Sequence, residues 1–322
     1  MTEPYSAVVC GLGTIGCELD FSPAPDASLR THAGAIAANP RMRLIAGCDP
    51  EPARRERFAR HFHTPTYASL QEALALHAPD LVSICSPTGH HHTQVMACIE
   101  ASLPMVWLEK PPAASRAQLE DLVLAQQERA TRTTILVNYH RRYAESYQRL
   151  REFCSSGELG SLVRLDAVYS RGLVPNGSHM VDLAFFLAGD PPGAELTARA
   201  AGGDAENPSF LLRFSTGLEA SFIGIPGLPY HCIDMTATFE RGRASVFHGG
   251  MTVRLEHCVE HELFKGFHRL REVPLGGWTG GFQRAFENAL KDLLQSHEHG
   301  RPPLSTLRTA LPTQIVLDQA LE

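Results

Sequence analysis

The stretch that decides the fold lies near the start of the chain, at residues 7–16, and reads AVVCGLGTIG. Its four apolar residues predict a buried β-strand, and a GxGxxG turn follows the strand directly. In a turn of this kind the glycines permit a tight bend, a close approach of the backbone to a pyrophosphate, and close packing of strand and helix. The residues predicted to contact a dinucleotide here are Gly11, Gly13, Thr14, Ile15 and Gly16.

The first half of the chain continues this alternation of apolar strands and helical stretches. Helical stretches of crossover length separate four further apolar runs, at residues 43–48, 81–85, 105–108 and 134–138. Strands that are apolar throughout indicate a parallel sheet that is covered on both faces. Residues 1–140 are therefore predicted to form a Rossmann domain, a doubly wound α/β fold.

After residue 140 the pattern changes. Longer stretches with a period of two, such as 209–214 and 233–239, predict a mainly antiparallel sheet with one covered face. Residues 141–322 are predicted to form an α+β domain for substrate binding and oligomerisation. Its helices are expected at about 144–156, 178–188, 279–295 and 304–320.

Length and composition exclude several classes of protein. The 322 residues suit two domains, and a net charge of -6 disfavours nucleic acid as a partner. No apolar stretch of about 18 residues is present, and residues 1–5 have no basic segment before an apolar run. The eight cysteines are scattered without a CxxC pair, so neither disulfides nor a metal site are expected. These features predict a cytoplasmic protein.

An acidic residue at the end of the second strand is expected to bind the adenosine ribose. Asp49 holds that position, although it lies farther than about 20 residues from the glycines. The excess falls in residues 20–28, whose prolines and turn formers predict an inserted loop. A carboxylate here favours NAD over NADP, while the nearby Arg54 and Arg55 keep NADP as an alternative. A helix N-cap is the other role open to Asp49.

Two later turns, each after a predicted strand, match motifs that are typical of one protein family. Ser86-Pro87-Thr88-Gly89-His90-His91 follows the third of these apolar strands, and Glu109-Lys110-Pro111 ends the fourth. With the glycine turn, Asp49 and a later His179-x-x-Asp182, they occur in the order typical of one family. The chain thus resembles the glucose-fructose oxidoreductase, inositol dehydrogenase and MocA family (Gfo/Idh/MocA).

The resemblance implies hydride transfer between a nicotinamide and a sugar, sugar derivative or cyclic polyol. It places Lys110 in the cleft between the domains as catalytic acid/base or substrate anchor, with His179 as the second proton carrier. It also implies cofactor contacts from Ser86, Pro87, His91, Glu109 and Lys110, and substrate contacts from Asn176, Asp182, Arg142 and Tyr139. A surface role for Lys110 and a purely structural role for His179 are the alternatives.

The sequence departs from the family at one position. Many members carry an Asp four residues before the catalytic His, whereas this chain has Pro175 there. Proline cannot accept a proton, and the amide of the adjacent Asn176 has no useful acid/base chemistry. Lys110 and His179 would then share the work, with Asp182 available to orient His179.

Three hypotheses about function follow. The first is an NAD-dependent oxidoreductase acting on a carbohydrate-type substrate. The second is an NAD-dependent glycoside hydrolase that oxidises its substrate transiently, and the third is a non-catalytic dinucleotide sensor, which the missing Asp keeps open. In each case an apolar sheet face of the second domain is expected to join subunits into a homodimer or homotetramer.

Overall fold

A computed structural model describes residues 3–22, 24–128, 133–201, 204–272 and 277–322. The opening residues Met1 and Thr2, and Pro23 of the predicted insertion, lie outside this part of the chain. The chain divides into two compact units. Unit 1 comprises Met1–His140 and Gln283–Leu311, and unit 2 comprises Arg141–Phe282 and Pro312–Glu322. The first segment of unit 1 thus ends at residue 140, and residues 283–311 also belong to unit 1, whereas the sequence places all of 141–322 in one domain.

Unit 1 is built on a six-stranded parallel sheet in the order β3-β2-β1-β4-β5-β6, the strand order of a Rossmann fold. The central strands are buried along nearly their whole length because helices cover both faces. The strands are β1 Tyr5–Cys10, β2 Met42–Cys48, β3 Thr66–Tyr67, β4 Leu81–Ile84, β5 Met105–Leu108 and β6 Thr134–Val137.

The helices of unit 1 alternate with these strands. They are α1 His32–Ala38, α2 Pro52–Phe62, α3 Leu70–Leu76, α4 His91–Glu100 and α5 Arg116–Glu128. A late helix, α8 Ala285–His299, packs against β5, β6 and α1. Its ring contacts explain this return, because Phe286 lies against both His32 and Trp107.

Unit 2 is built on a nine-stranded, mainly antiparallel sheet. Eight strands follow the order β14-β13-β12-β11-β7-β10-β9-β8, and β15 pairs with β13. The central β7 is parallel to β10 and antiparallel to β11. The strands are β7 Leu162–Ser170, β8 Ala194–Arg199, β9 Phe210–Phe214, β10 Glu219–Ile225, β11 Ile233–Phe239, β12 Gly242–Phe247, β13 Thr252–Glu260, β14 His268–Glu272 and β15 Trp278–Thr279.

Helices α6 Glu145–Ser156 and α7 Ser178–Leu187 belong to unit 2, and α9 Leu307–Leu321 crosses from unit 1 into unit 2 at Pro312. Every residue of α7 is buried, and this helix packs on β7 and β10. The ring of Phe185 meets that of Phe214 with centroids 4.9 Å apart. Within the described residues, no helix is both long and apolar enough to cross a membrane.

The sheet of unit 2 has one buried face and one face of mixed character. On β11, Met235 and Ala237 are buried, whereas the alternate residues Asp234 and Thr236 are partly exposed. Ion pairs also occupy the mixed face: Arg164 with Asp166, Arg213 with Glu219, and Arg243 with Glu256. Isolated apolar side chains such as Ile223 lie among them. The sequence predicted that this second face would be apolar, and this prediction is wrong because ion pairs occupy much of the face.

A buried ion cluster ties the start of unit 2 to α7. The Arg142 guanidinium donates to both carboxylate oxygens of Asp182 at 2.8 Å each, and to Asp190 at 2.8 Å. Arg142 and Asp182 are almost fully buried. Their predicted role in substrate binding is corrected, because each side chain is enclosed and engaged by the other. Both oxygens of Asp182 accept from Arg142, and the role of Asp182 in orienting His179 stays a prediction.

Replacing Arg142 with Met should lower the free energy of unfolding by about 3–5 kcal/mol, because the Asp182 charge would stay buried without its partner. Chemical denaturation measures this loss. Arg243→Met removes a partly exposed ion pair and should lower it by about 1 kcal/mol or less. Equal losses for the two variants would contradict a buried structural role for Arg142.

Candidate functional site

The glycine turn has the geometry that its sequence predicts. Gly11 has a φ of +92° and lies against the backbone of Cys85 and Ser86, so a side chain there would be both strained and obstructed. A Cβ at Gly16 would overlap the carbonyl oxygen of Gly11. Gly13 is the open position, where a Cβ would meet only the Arg54 guanidinium at 3.9 Å. The backbone at Gly13 therefore leaves room for the close approach of a phosphate.

The predicted insertion separates this turn from the first helix. A 3-10 helix occupies Glu18–Phe21, and α1 begins only at His32, with Thr31 as its N-cap. The carboxylate of Asp20 holds the end of the insertion, since it accepts hydrogen bonds from the backbone N–H of Arg30 and from the Thr31 hydroxyl. The insertion is thus anchored to the helix that follows it.

Asp49 stands at the end of β2, as predicted. One carboxylate oxygen accepts from the backbone N–H of Leu12 at 2.9 Å, and the other accepts from that of Glu51 at 2.9 Å. Helix α2 begins at Pro52 with Glu51 at the cap position, so Asp49 is not the residue that caps it. A carboxylate has about four lone-pair sites, so Asp49 retains acceptor capacity for ribose hydroxyls.

A cavity of about 260 Å³ lies beside Asp49, within unit 1. Its walls include the predicted residues Gly11, Asp49, Ser86 and Pro87, together with Arg54 and His90. The guanidinium of Arg54 lies 3.6 Å from the Asp49 carboxylate, and the Arg54 side chain is 46% exposed. The cavity therefore brings the Asp49 carboxylate and the Arg54 cation together at its rim, and these residues fit the adenosine end of a dinucleotide.

His91 has a different role from the predicted cofactor contact. Its ring is buried, with Nε2 at 2.8 Å from the carbonyl oxygen of Ser86 and Nδ1 at 2.9 Å from that of Pro111. Burial lowers the pKa of His91, and the hydrogen bonds to the two carbonyl oxygens oppose this shift. His91 positions two turns against each other, and the assignment as a cofactor contact is corrected.

Adjacent His90 and His92 do not share a ligand site with it. His92 Nε2 lies 2.7 Å from the carboxylate of Asp121, and His90 faces the cavity. Among the described residues, no group of three His, Cys, Asp or Glu side chains has the arrangement of a metal site.

A buried polar network surrounds Glu109. His32 Nε2 lies 2.9 Å from Glu109 Oε1, and the Asn138 amide donates to the same oxygen. The other His32 nitrogen lies 2.7 Å from the Ser83 hydroxyl, and the Trp107 indole donates to Asn138 at 3.2 Å. With the proton on Nε2, His32 donates to Glu109 and accepts from Ser83, so a neutral imidazole satisfies both contacts.

The network keeps Glu109 ionised. Burial raises the pKa of this carboxyl, but the hydrogen bonds and electrostatic interactions with His32 and Asn138 and the nearby charge of Lys110 outweigh burial, so the pKa falls to about 2. The backbone N–H of Lys110 donates to the second Glu109 oxygen at 3.2 Å. A fixed negative charge therefore adjoins Lys110.

The remaining predicted residues lie in different settings. Lys110 is half-buried after β5, and the Lys110–Pro111 peptide is cis. His179 is 5% exposed in the first turn of α7. Tyr139 is fully buried in the core of unit 1, so its predicted substrate contact is corrected. The Asn176 amide donates to the Ser170 carbonyl at 2.8 Å.

Sequence reasoning missed His32, Ser83 and Asn138 as parts of the site. They come from α1, β4 and the end of β6, and each is fully buried. A polar residue inside or directly after an apolar strand, as with Ser83 and Asn138, is the signal that could have pointed to them.

Comparison with known proteins identifies the type of the first unit. Residues 6–139 match the family model described as oxidoreductase family, NAD-binding Rossmann fold. D-glucoside 3-dehydrogenase of Escherichia coli is 26% identical over 182 residues, which cover 50% of this chain and 51% of that protein. Inositol 2-dehydrogenase of Leifsonia xyli is 29% identical over 166 residues, covering 46% and 48%. The chain thus spans about half the length of these curated relatives.

The whole fold is shared with solved structures. A dehydrogenase from Chromobacterium violaceum has a TM-score of 0.79 at 18% identity, covering 99% of this chain and 95% of that one. At such identity the likeness concerns the fold, which includes both units.

Asp49→Asn should shift cofactor preference toward NADP by about tenfold, because it removes the charge that repels a 2'-phosphate and leaves Arg54 free to bind one. Fluorescence titration with NADH and NADPH measures the two dissociation constants. In the double variant Asp49→Asn, Arg54→Gln this gain should vanish. An NADPH affinity that stays high without Arg54 would contradict the assigned role of that arginine.

The depressed pKa of Glu109 predicts a pH dependence of stability. The contribution is present above the unfolded-state pKa near 4.5 and is lost as the pH falls toward about 2, on the order of 3 kcal/mol in all. Glu109→Gln should remove this part of the acid-induced loss, as measured by denaturation at a series of pH values. The exposed Glu120→Gln serves as the control, and a profile for Glu109→Gln that parallels the wild type would refute the pairing.

Proposed function

We propose that this chain, which belongs to the Gfo/Idh/MocA oxidoreductase family, is an NAD(P)-dependent dehydrogenase or reductase. It would transfer a hydride between the nicotinamide and a CH–OH carbon of a sugar, sugar derivative or cyclic polyol. The observation that carries the proposal is the position of Lys110, directly after a buried, ionised Glu109 in a unit of the NAD-binding type. The relatives lend no support to a glycoside hydrolase or a non-catalytic sensor.

The cofactor would be held by the glycine turn and Asp49. Bound nicotinamide would supply the hydride donor or acceptor. The chain contributes the open backbone at Gly13, the acceptor oxygens of Asp49 and the turn at Ser86 and Pro87. We expect NAD to be preferred, with Arg54 as the feature that favours NADP.

Lys110 is proposed as the acid/base group for the substrate hydroxyl. The chain has only three lysines, and the other two, Lys265 and Lys291, are exposed. Arginine supplies nearly all other positive charge, yet it cannot release a proton in the working pH range. A lysine can do so when a bound cationic nicotinamide lies near it, because that positive charge lowers the lysine pKa and opposes the effect of the Glu109 carboxylate. Lysine at position 110 can therefore exchange a proton with the substrate, whereas arginine at this position could not.

His179 is proposed as the second proton carrier. Its ring is 5% exposed at the start of α7, directly after the segment that contains Asn176. Imidazole exchanges protons near neutral pH, whereas neither Pro175 nor the Asn176 amide does so.

We further propose a cytoplasmic homodimer or homotetramer that joins through the mixed face of the unit 2 sheet. The eight cysteines are free thiols, which suits a reducing compartment. The exposed Leu211 and Ile223 lie among ion pairs on this face of the sheet. Such a mixture of apolar and charged groups is common in subunit interfaces.

Lys110→Ala should reduce turnover by about 10²- to 10⁴-fold while leaving cofactor affinity nearly intact, because general acid/base catalysis is lost and the adenosine site is unchanged. Formation of reduced nicotinamide on a panel of sugars and polyols measures turnover, and fluorescence titration measures affinity. Lys291→Ala on the exposed side of α8 is the matched control. Full activity of Lys110→Ala would contradict the proposal, as would a protein that binds neither NAD nor NADP.

A further inference from the structure

Three side chains with hydrogen-bond donors converge at the end of β7 in unit 2. Arg171 follows the strand, Asn176 lies five residues later, and His231 precedes β11. The Arg171 guanidinium lies 2.8 Å from His231 Nε2, and the Asn176 amide nitrogen lies 3.2 Å from His231 Nδ1. The cluster is open to solvent, since Arg171 and His231 are both exposed.

Ser170 fixes the positions of these residues. It is fully buried, and its hydroxyl accepts from the backbone N–H of Cys232 at 2.9 Å and donates to the carbonyl of Tyr230 at 3.2 Å, on the two sides of His231. Its own carbonyl accepts from the Asn176 amide at 2.8 Å. Both segments of the cluster are therefore held by one buried residue.

The cluster has more donors than acceptors. The Ser170 carbonyl requires that Asn176 present its NH₂ group, so His231 has a donor facing each ring nitrogen. A neutral imidazole offers one acceptor nitrogen, and a protonated one offers none. In every protonation state of His231, at least one ring nitrogen therefore carries a proton that faces another hydrogen-bond donor. A ligand with acceptor oxygens would give these donors a partner.

No carboxylate of the chain fills this need among the described residues. Arg171 forms no ion pair there, and the segment 170–179 contains neither Asp nor Glu. Arg171 also has a φ of +64°, a left-handed conformation that is unfavourable for a residue with a side chain. Strained residues of this kind cluster at ligand sites, and the π-helical turn Leu173–Gly177 directly after it is another feature that is frequent at such sites.

We propose that Arg171, Asn176 and His231 bind the carboxylate of a sugar-acid substrate. This inference rests on the proposed function, because it names the substrate class of that oxidoreductase. A guanidinium binds a carboxylate through paired N–H groups, and the amide and imidazole add donors from the side. Proline at position 175 agrees with this substrate, since an Asp next to Asn176 would repel the bound anion.

Binding of matched acids and neutral sugars tests the site. The probes are D-glucuronate, D-galacturonate and D-gluconate against D-glucose, D-galactose and myo-inositol, measured by calorimetry with NAD present. The wild type should bind at least one acid about tenfold more tightly than its neutral counterpart. Arg171→Gln should lose this preference, and Arg171→Lys should keep part of it.

Two further variants sharpen the test. Asn176→Asp adds a negative charge at nearly constant size, and it should weaken acid binding more than neutral-sugar binding. Arg199→Gln removes an arginine that is likewise exposed, on the edge strand β8, and it should leave the acid preference unchanged. In kinetics, Arg171→Gln should raise KM for the acid more than it lowers kcat.

The outcomes separate the two proposals. Equal affinity for acids and neutral sugars, or an acid preference that survives Arg171→Gln, overturns the carboxylate site even if sugars are oxidised. Arg171-dependent binding of an acid without nicotinamide reduction on any probe supports the site and counts against the dehydrogenase function. Selective binding and turnover of an acid support both.

Discussion

The ionised carboxylate of Glu109 is the constraint around which unit 1 is organised. It follows β5 directly, and its partners His32 and Asn138 come from α1 and from the end of β6. Ser83 of β4 forms a hydrogen bond with the other ring nitrogen of His32. A buried charge is tolerated only with such partners, so these elements must meet at one point. Lys110 is the next residue, and its backbone is bound to the same carboxylate. The network that stabilises the unit therefore also places the proposed acid/base group.

Much of the fold could be predicted because its signals are local. Apolar strands and glycine spacing identified the Rossmann unit, and a period of two identified the sheet of unit 2. The edge strand β14, with sequence HRLRE, and the short β3 carry no such pattern, so they were missed. The return of α8 to unit 1 depends on ring contacts of Phe286 with residues far away in the chain, which periodicity does not report.

The site was less predictable, since the role of a charged residue depends on partners that lie far away in the sequence. Arg142 and Asp182 suited substrate binding by sequence, but they bind each other across 40 positions. Two histidines differ in the hydrogen-bond partners that surround them. His32 has an acceptor on one nitrogen and a hydroxyl on the other, and it is satisfied, whereas His231 has donors on both. The second arrangement is the one that the proposed carboxylate would complete.

The placement of the two tryptophans has a practical consequence. Trp107 is buried in unit 1 beside His32, with ring centroids 4.0 Å apart, and Trp278 lies in unit 2 beneath the guanidinium of Arg149. Each unit therefore carries a single native indole in its own distinct environment. Replacing either tryptophan by Phe would leave an indole in one unit alone, so a change confined to one half of the chain could be followed without attaching a dye.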